Sequence, residues 1–212
     1  MHTTRTRALS GLYVILDPSG GLHRPLAAVL HEAADAGARL FQYRNKTASM
    51  KEAYAEALTL RAAAAKAGAR FIVNDRCDLA LAVDADGVHL GQGDLPFAYA
   101  RQIMGPNKII GLSTHSPVQV AEAERLRPDY IGFGPIFTPS SKQDHDPVVG
   151  LNGLRQVRAL TSLPIFAIGG IQLDHIEEVV QAGADGIAVI SAVLKAPDVT
   201  RAIQDFIARM NG

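Results

Sequence analysis

Within Phe41-Gln42-Tyr43-Arg44-Asn45-Lys46, three side chains have types and spacing that could act on one ligand. Side chains alternate along a strand, so Gln42, Arg44 and Lys46 would share a face. Two cations and an amide on one face suit a multiply charged anion such as a diphosphate. A solvated strand end is the alternative. Farther along, Val73-Asn74-Asp75 and Gly91-Gln92-Gly93-Asp94 each follow a short apolar run and end in a carboxylate. One or two carboxylates plus phosphate oxygens are the usual way to hold Mg²⁺, which prefers hard oxygen ligands and keeps some water. Taken singly, Asp75 reads as a helix N-cap and Asp94 as a turn residue before Pro96. Together with the cationic segment, a metal–diphosphate site explains them better.

Further candidates recur in the same kind of place. Ser113, in Leu112-Ser113-Thr114-His115, can donate to an anion; His115 could exchange a proton or simply cap the next helix. The stretch from Gly134 to Lys142 opens a long irregular connection carrying Ser140, Ser141 and Lys142. Such loops are often lids that exclude water; a solvated loop is the alternative. Gly169-Gly170 and Ile190-Ser191 follow two later apolar runs, where backbone N–H groups could cradle a phosphate.

These residues need a frame that gathers them. Eight short apolar runs, at 11–16, 40–43, 71–74, 87–90, 109–112, 130–133, 164–168 and 186–190, alternate with helical patterns. Most are apolar on consecutive residues, as parallel strands buried on both faces require. The clearest helical stretches are 25–36, 49–66, 118–126, 151–160 and 173–181, and Ile203, Phe206, Ile207 and Met210 keep a helical spacing. Residues 76–85 leave room for only a brief helix. Gly37, Gly68 and Gly183 sit in Ala-Gly-Ala triplets just before a strand, where left-handed residues stop helices. Eight βα units of roughly 25–30 residues fill the chain, which predicts a single (β/α)₈ TIM barrel spanning 1–212. A doubly wound sheet competes less well, because the early Gly-x-Gly-x-x-Gly is missing. In a barrel, chemistry belongs at the C-terminal strand ends, where all the candidates above fall.

Composition bounds the partners. The 212 residues include 21 Lys+Arg and 21 Asp+Glu, so the net charge is zero and a general nucleic-acid binder is disfavoured. Cys77 is the only cysteine, so no internal disulfide is available and a reducing compartment is expected. No apolar run approaches the roughly 20 residues needed to span a bilayer. Residues 1–10 are polar and lack the apolar core of a signal peptide. The expectation is a soluble, cytoplasmic enzyme without membrane or nucleic-acid partners; the oligomeric state is not legible.

Taken in order, Gln42-Tyr43-Arg44-Asn45-Lys46, Val73-Asn74-Asp75, Gly91-Gln92-Gly93-Asp94-Leu95-Pro96, Ser113-Thr114-His115, Gly134-Pro135-Ile136-Phe137 with Lys142, Ile168-Gly169-Gly170-Ile171 and Ile190-Ser191-Ala192 resemble the thiamine-phosphate synthase family. The resemblance runs from Leu12 to about Lys195. It implies a transferase joining 4-amino-2-methyl-5-(diphosphooxymethyl)pyrimidine to a thiazole phosphate by a Mg²⁺-assisted dissociative substitution. The products would be thiamine monophosphate and pyrophosphate. The resemblance further implies that Gln42, Arg44, Lys46, Asn74, Ser113 and Lys142 bind the pyrimidine diphosphate, with Tyr43 and Asn45 of the first motif also among the substrate-binding residues. Asp75 and Asp94 would hold Mg²⁺. Ser140, Ser141, Gly170, Ile190 and Ser191 would surround the thiazole phosphate. Arg44, Lys46, Ser113 and Lys142 would act on the leaving group. The family often has Thr-x-Thr-Lys before the lid lysine; here Pro139 begins that stretch and offers neither hydroxyl nor N–H, so its expected substrate contact falls to its carbonyl. A thiazole tautomerase on the same barrel, using His115, and a non-catalytic phosphometabolite-binding protein are the competing expectations.

Overall fold

The apolar runs pair as the alternation predicts. In the computed structural model, which describes residues 9–21, 24–138 and 147–212, β1 (Gly11–Leu16), β2 (Leu40–Tyr43), β3 (Arg70–Asn74) and β4 (Gly87–Leu90) lie in sequence order. They continue into β5 (Ile109–Thr114), β6 (Tyr130–Phe133), β7 (Ile165–Ile168) and β8 (Gly186–Val189). Each strand pairs in parallel with the next, and β8 pairs with β1, so the sheet closes into a (β/α)₈ barrel. Strand ends match expectation within two residues.

The outer layer comprises α1 (Leu26–Asp35), α2 (Met50–Lys66), α3 (Cys77–Ala82), α4 (Phe97–Met104) and α5 (Pro117–Leu126), followed by α6 (Gly150–Arg158), α7 (Ile176–Gln181), α8 (Ser191–Leu194) and α9 (Val199–Asn211). The glycines of the three Ala-Gly-Ala triplets all adopt positive φ, at 113°, 63° and 104°, and end α1, α2 and α7. Helix α2 starts at a capping box in which Ser49 and Glu52 satisfy each other's backbone N–H. Among the described residues, no helix is long and apolar enough to cross a membrane.

The two ends of the barrel differ in chemistry. At the N-terminal rim, Asp86, Asp129 and Asp185 stand immediately before β4, β6 and β8. Their carboxylates accept the N–H of Phe71, Ile110 and Ile165 on the preceding strand, each at 2.8 Å. Each is also paired with an arginine from the outer layer: Arg61, Arg101 and Arg158. These aspartates tie strand to strand and sheet to helix, at the rim where residues serve stability.

Inside the barrel, Tyr13, Tyr130 and Phe166 meet edge to face, with ring centroids 5.3–5.8 Å apart. Glycines on neighbouring strands make the room: a Cβ on Gly111 would lie 2.1 Å from the Tyr130 ring, and one on Gly186 would lie 2.3 Å from Phe166. The rings plug the barrel and form the floor of the opening above them.

Asp129→Ala should lower stability by about 1–3 kcal/mol, because the Ile110 N–H and Arg101 both lose their acceptor. Chemical denaturation checks this; an unchanged midpoint would show that the rim aspartates carry no such load.

Candidate active site

A cavity of about 420 Å³ opens at the C-terminal strand ends. Its wall includes Gln42, Arg44, Lys46, Asn74, Asp75, Asp94, Ser113 and Ile190, all anticipated from the sequence, and its floor is the aromatic plug. The structure therefore gathers anticipated residues up to 148 positions apart (Gln42 to Ile190) around one opening.

The carboxylates converge because β3 and β4 are neighbours. Asp75 is not a helix N-cap: Arg76 holds that position before α3, and Asp75 itself adopts φ +64°. A non-glycine residue in that region is uncommon and costs energy, which the surrounding contacts must offset. Its N–H is held by the His89 carbonyl at 2.8 Å. Asp94 does close a turn, accepting the Gly91 N–H at 2.7 Å. It also stands within hydrogen-bonding reach of Asp75. Burial first, and then the neighbouring Asp75 carboxyl, raises the Asp94 carboxyl above the usual carboxylate range; Lys46 opposes that rise. Lys46 pairs directly with Asp75.

Arg44 is held by a residue that sequence reasoning passed over. Asp17 follows β1, is buried, and pairs with Arg44. Its other carboxylate oxygen accepts the Ser19 N–H at 2.8 Å and the Ser19 hydroxyl at 2.6 Å. Asp17 sits at a C-terminal strand end, so the rule that found Asp75 would have found it. Lys46 is set by the turn into α2, where the Asn45 side-chain oxygen accepts the N–H groups of Thr47 and Ala48 at 3.1 and 3.0 Å.

Several anticipated residues stand elsewhere. Tyr43 and Asn45 do not line the cavity, because strand alternation turns them to the face opposite Gln42 and Arg44. The Tyr43 hydroxyl donates to Glu56 of α2 at 2.8 Å, and burial, followed by that carboxylate, pushes its pKa up. Gly170 and Ser191 lie outside the cavity wall as well. Gly170 adopts φ +64° and packs so closely that a Cβ would come within 2.7 Å of the Thr138 carbonyl oxygen. Pro139, Ser140, Ser141 and Lys142 lie outside the described residues. His115 is not the helix cap; Ser116 is. The His115 ring lines the cavity, and its Nδ1 donates to the Gly134 carbonyl at 2.7 Å.

The floor carries polar groups that the strand pattern hid. His89 Nδ1 meets the Tyr130 hydroxyl at 3.0 Å, and its Nε2 meets the Ser113 hydroxyl at 2.9 Å. Burial is the main cause that holds the His89 pKa down, to about 4. Burial likewise raises both Tyr13 and Tyr130, so the phenols stay protonated.

Among the described residues, no group of three or more His, Cys, Asp or Glu gathers as a metal site. What the cavity offers instead is two adjacent hard-oxygen donors that repel each other, beside two cations. A divalent ion that takes its remaining ligands from phosphate and water fits that donor set.

The family model described as thiamine monophosphate synthase matches residues 12–193. The chain belongs to the thiamine monophosphate synthase family. It is 49% identical over 191 residues to the thiamine-phosphate synthase of Chloroflexus aurantiacus, covering 90% of this chain and 88% of that one. It is 45% identical to the synthase of Pelotomaculum thermopropionicum, covering 97% and 98% of the two chains. The solved structure of thiamine phosphate pyrophosphorylase from Pyrococcus furiosus superposes with a TM-score of 0.86 at 42% identity, covering 95% of each chain. Family membership thus agrees with the barrel and with the kind of anion the rim suits.

The pH dependence of stability has a definite sign at His89. The unfolded histidine gains a proton below about 6.5, whereas the folded one resists until about 4. Stability from this group is present above 6.5 and is lost as pH falls toward 4, by on the order of 3 kcal/mol in full. His89→Asn should therefore flatten the stability profile between those pH values relative to the parent chain. Parallel profiles would contradict a neutral buried imidazole.

Proposed function

We propose that this chain catalyses the thiamine-phosphate synthase reaction, transferring the pyrimidinylmethyl group of the pyrimidine diphosphate to the nitrogen of a thiazole phosphate. Pyrophosphate leaves with the electrons of the carbon–oxygen bond, and the amino-substituted ring delocalises the resulting charge on the methylene. The thiazole nitrogen then captures that carbon. The observation that carries the reading is the meeting of Asp75 and Asp94 beside Lys46 and Arg44 in one cavity.

Asp75 and Asp94 would hold Mg²⁺, which supplies positive charge to the diphosphate oxygens when bound. The chain's own groups do the rest. Arg44, anchored by Asp17, and Lys46, shared with Asp75, bind the anion and stabilise charge growing on the departing oxygens. Ser113 and Asn74 donate hydrogen bonds from neighbouring parts of the wall. Gln42 reaches the same cavity from β2. Lys142, with Ser140 and Ser141, would cover the site and keep water from the reactive carbon. Gly170, Ile190 and Ser191 would form the thiazole phosphate side, which brings the nitrogen close to the carbon. Cytoplasmic placement goes with this reading.

A tautomerase would use the cavity-facing His115 and release no pyrophosphate. It has no need of the carboxylate pair, and that difference favours the synthase reading. Purified protein given both substrates should release pyrophosphate and form thiamine monophosphate only with Mg²⁺ present. Full turnover in EDTA, or in both Asp75→Asn and Asp94→Asn, would remove the metal role.

Lys142→Ala should lower kcat far more than it weakens thiazole phosphate binding. The expected loss is about 10²–10³-fold, the usual effect of removing one preorganised donor to a developing anion. Turnover comparable to the parent chain would refute its leaving-group role.

A further inference from the structure

Five polar side chains from five different strands join into one unbroken chain of hydrogen bonds across the cavity floor. Gln42 Nε2 donates to the Tyr13 hydroxyl at 2.7 Å, and Tyr13 meets the Tyr130 hydroxyl at 2.8 Å. Tyr130 meets His89 Nδ1 at 3.0 Å, and His89 Nε2 meets Ser113 Oγ at 2.9 Å. Gln42, Tyr13, Tyr130 and His89 are all buried.

Proton counting gives this chain a direction. An amide NH₂ can only donate, so Tyr13 accepts from Gln42. The single Tyr13 proton is then available to Tyr130, and the single Tyr130 proton to His89 Nδ1. A neutral imidazole has one N–H, so with Nδ1 accepting, Nε2–H donates to Ser113. Ser113 receives its bond from the protein side and keeps its own proton for the cavity. The reverse order would need the Gln42 amide turned so that its oxygen accepts from Tyr13, and it would leave Ser113 donating into the floor.

We propose that Gln42, Tyr13, Tyr130 and His89 form a directional relay that fixes the His89 tautomer and holds Ser113 as a hydrogen-bond donor toward an anion in the cavity. This rests on the reading that the cavity takes a diphosphate, whose oxygens accept and do not donate. A serine locked the other way would present only lone pairs to that anion. Within the relay, Ser113 is the group that touches substrate, and Tyr13, Tyr130 and His89 are positioning residues acting through it. Gln42 sets the polarity. The neutral state of His89, held down by burial, agrees with this arrangement. Cooperative hydrogen-bond chains of this kind stiffen their members.

The direct test is the ¹⁵N spectrum of the imidazoles in the ligand-free chain at neutral pH, with His89 assigned by the signal lost in His89→Asn. The expected result is one neutral species protonated at Nε2. A species protonated at Nδ1, or an averaged mixture, overturns the relay. Tyr130→Phe removes the donor to Nδ1 and should convert the single tautomer to a mixture; an unchanged tautomer also overturns it.

Turnover supplies an independent arm. Ser113→Ala should cost about 10²-fold in kcat in the parent chain. In the Tyr130→Phe background it should cost much less, because Ser113 is already misdirected there. Additive losses would show that Tyr130 does not act through Ser113. A chain with the Nε2–H tautomer and no pyrophosphate release would overturn the condensation reading while leaving the relay intact. The parent tautomer remains decisive if Tyr130→Phe fails to fold.

Discussion

The site is organised around a repulsion that the fold enforces. Two carboxyl groups, Asp75 and Asp94, share one partly desolvated corner of the rim, and one of them resists ionisation because of burial and the other's presence. Bringing like charges together costs energy, and holding Asp75 at positive φ adds to that cost. Lys46 offsets part of it. Under the proposed metal role, a divalent ion taking its other ligands from the substrate would relieve that cost by giving the two carboxylates a shared counter-charge. Arg44 follows a similar logic, with buried Asp17 holding the guanidinium at the cavity wall.

The barrel meets this cost by separating its two ends. The N-terminal rim commits its aspartates to strand N–H groups and outer-layer arginines three times over, with each N–H bond at 2.8 Å. The C-terminal rim leaves Asp75 and Asp94 facing a cavity. Between them, the Tyr13, Tyr130 and Phe166 plug gives the cavity a buried floor, and that burial holds the His89 pKa down and raises those of Tyr13 and Tyr130. Floor and rim therefore differ in dielectric, and polar groups on the floor are worth more per bond than they would be in water.

Much of the frame was legible because parallel strands buried on both faces leave a simple trace. Runs such as 40–43 and 130–133 carry that trace, and all eight strands follow from it. Helix α4 was harder to see: Tyr99 and Ile103 on it are exposed, so its apolar residues do not form a single inward stripe. The rim cations and carboxylates were legible because strand ends are where a barrel does chemistry. Asp17 obeys the same rule and was overlooked behind the turn signal of Asp17-Pro18. Tyr13, His89 and Tyr130 were hidden for a different reason. A tyrosine in an apolar strand reads as filling, and only closure of the barrel brings its hydroxyl against those of distant strands. Tyr43 and Asn45 came with their motif, although alternation assigns them to the outer face.

The most direct measurement is the binding of Mn²⁺, as a spectroscopic stand-in for Mg²⁺, by electron paramagnetic resonance in the presence of pyrophosphate. One ion per chain is expected, lost in Asp75→Asn and in Asp94→Asn and retained in Ser113→Ala. Undiminished occupancy in both aspartate variants would contradict it.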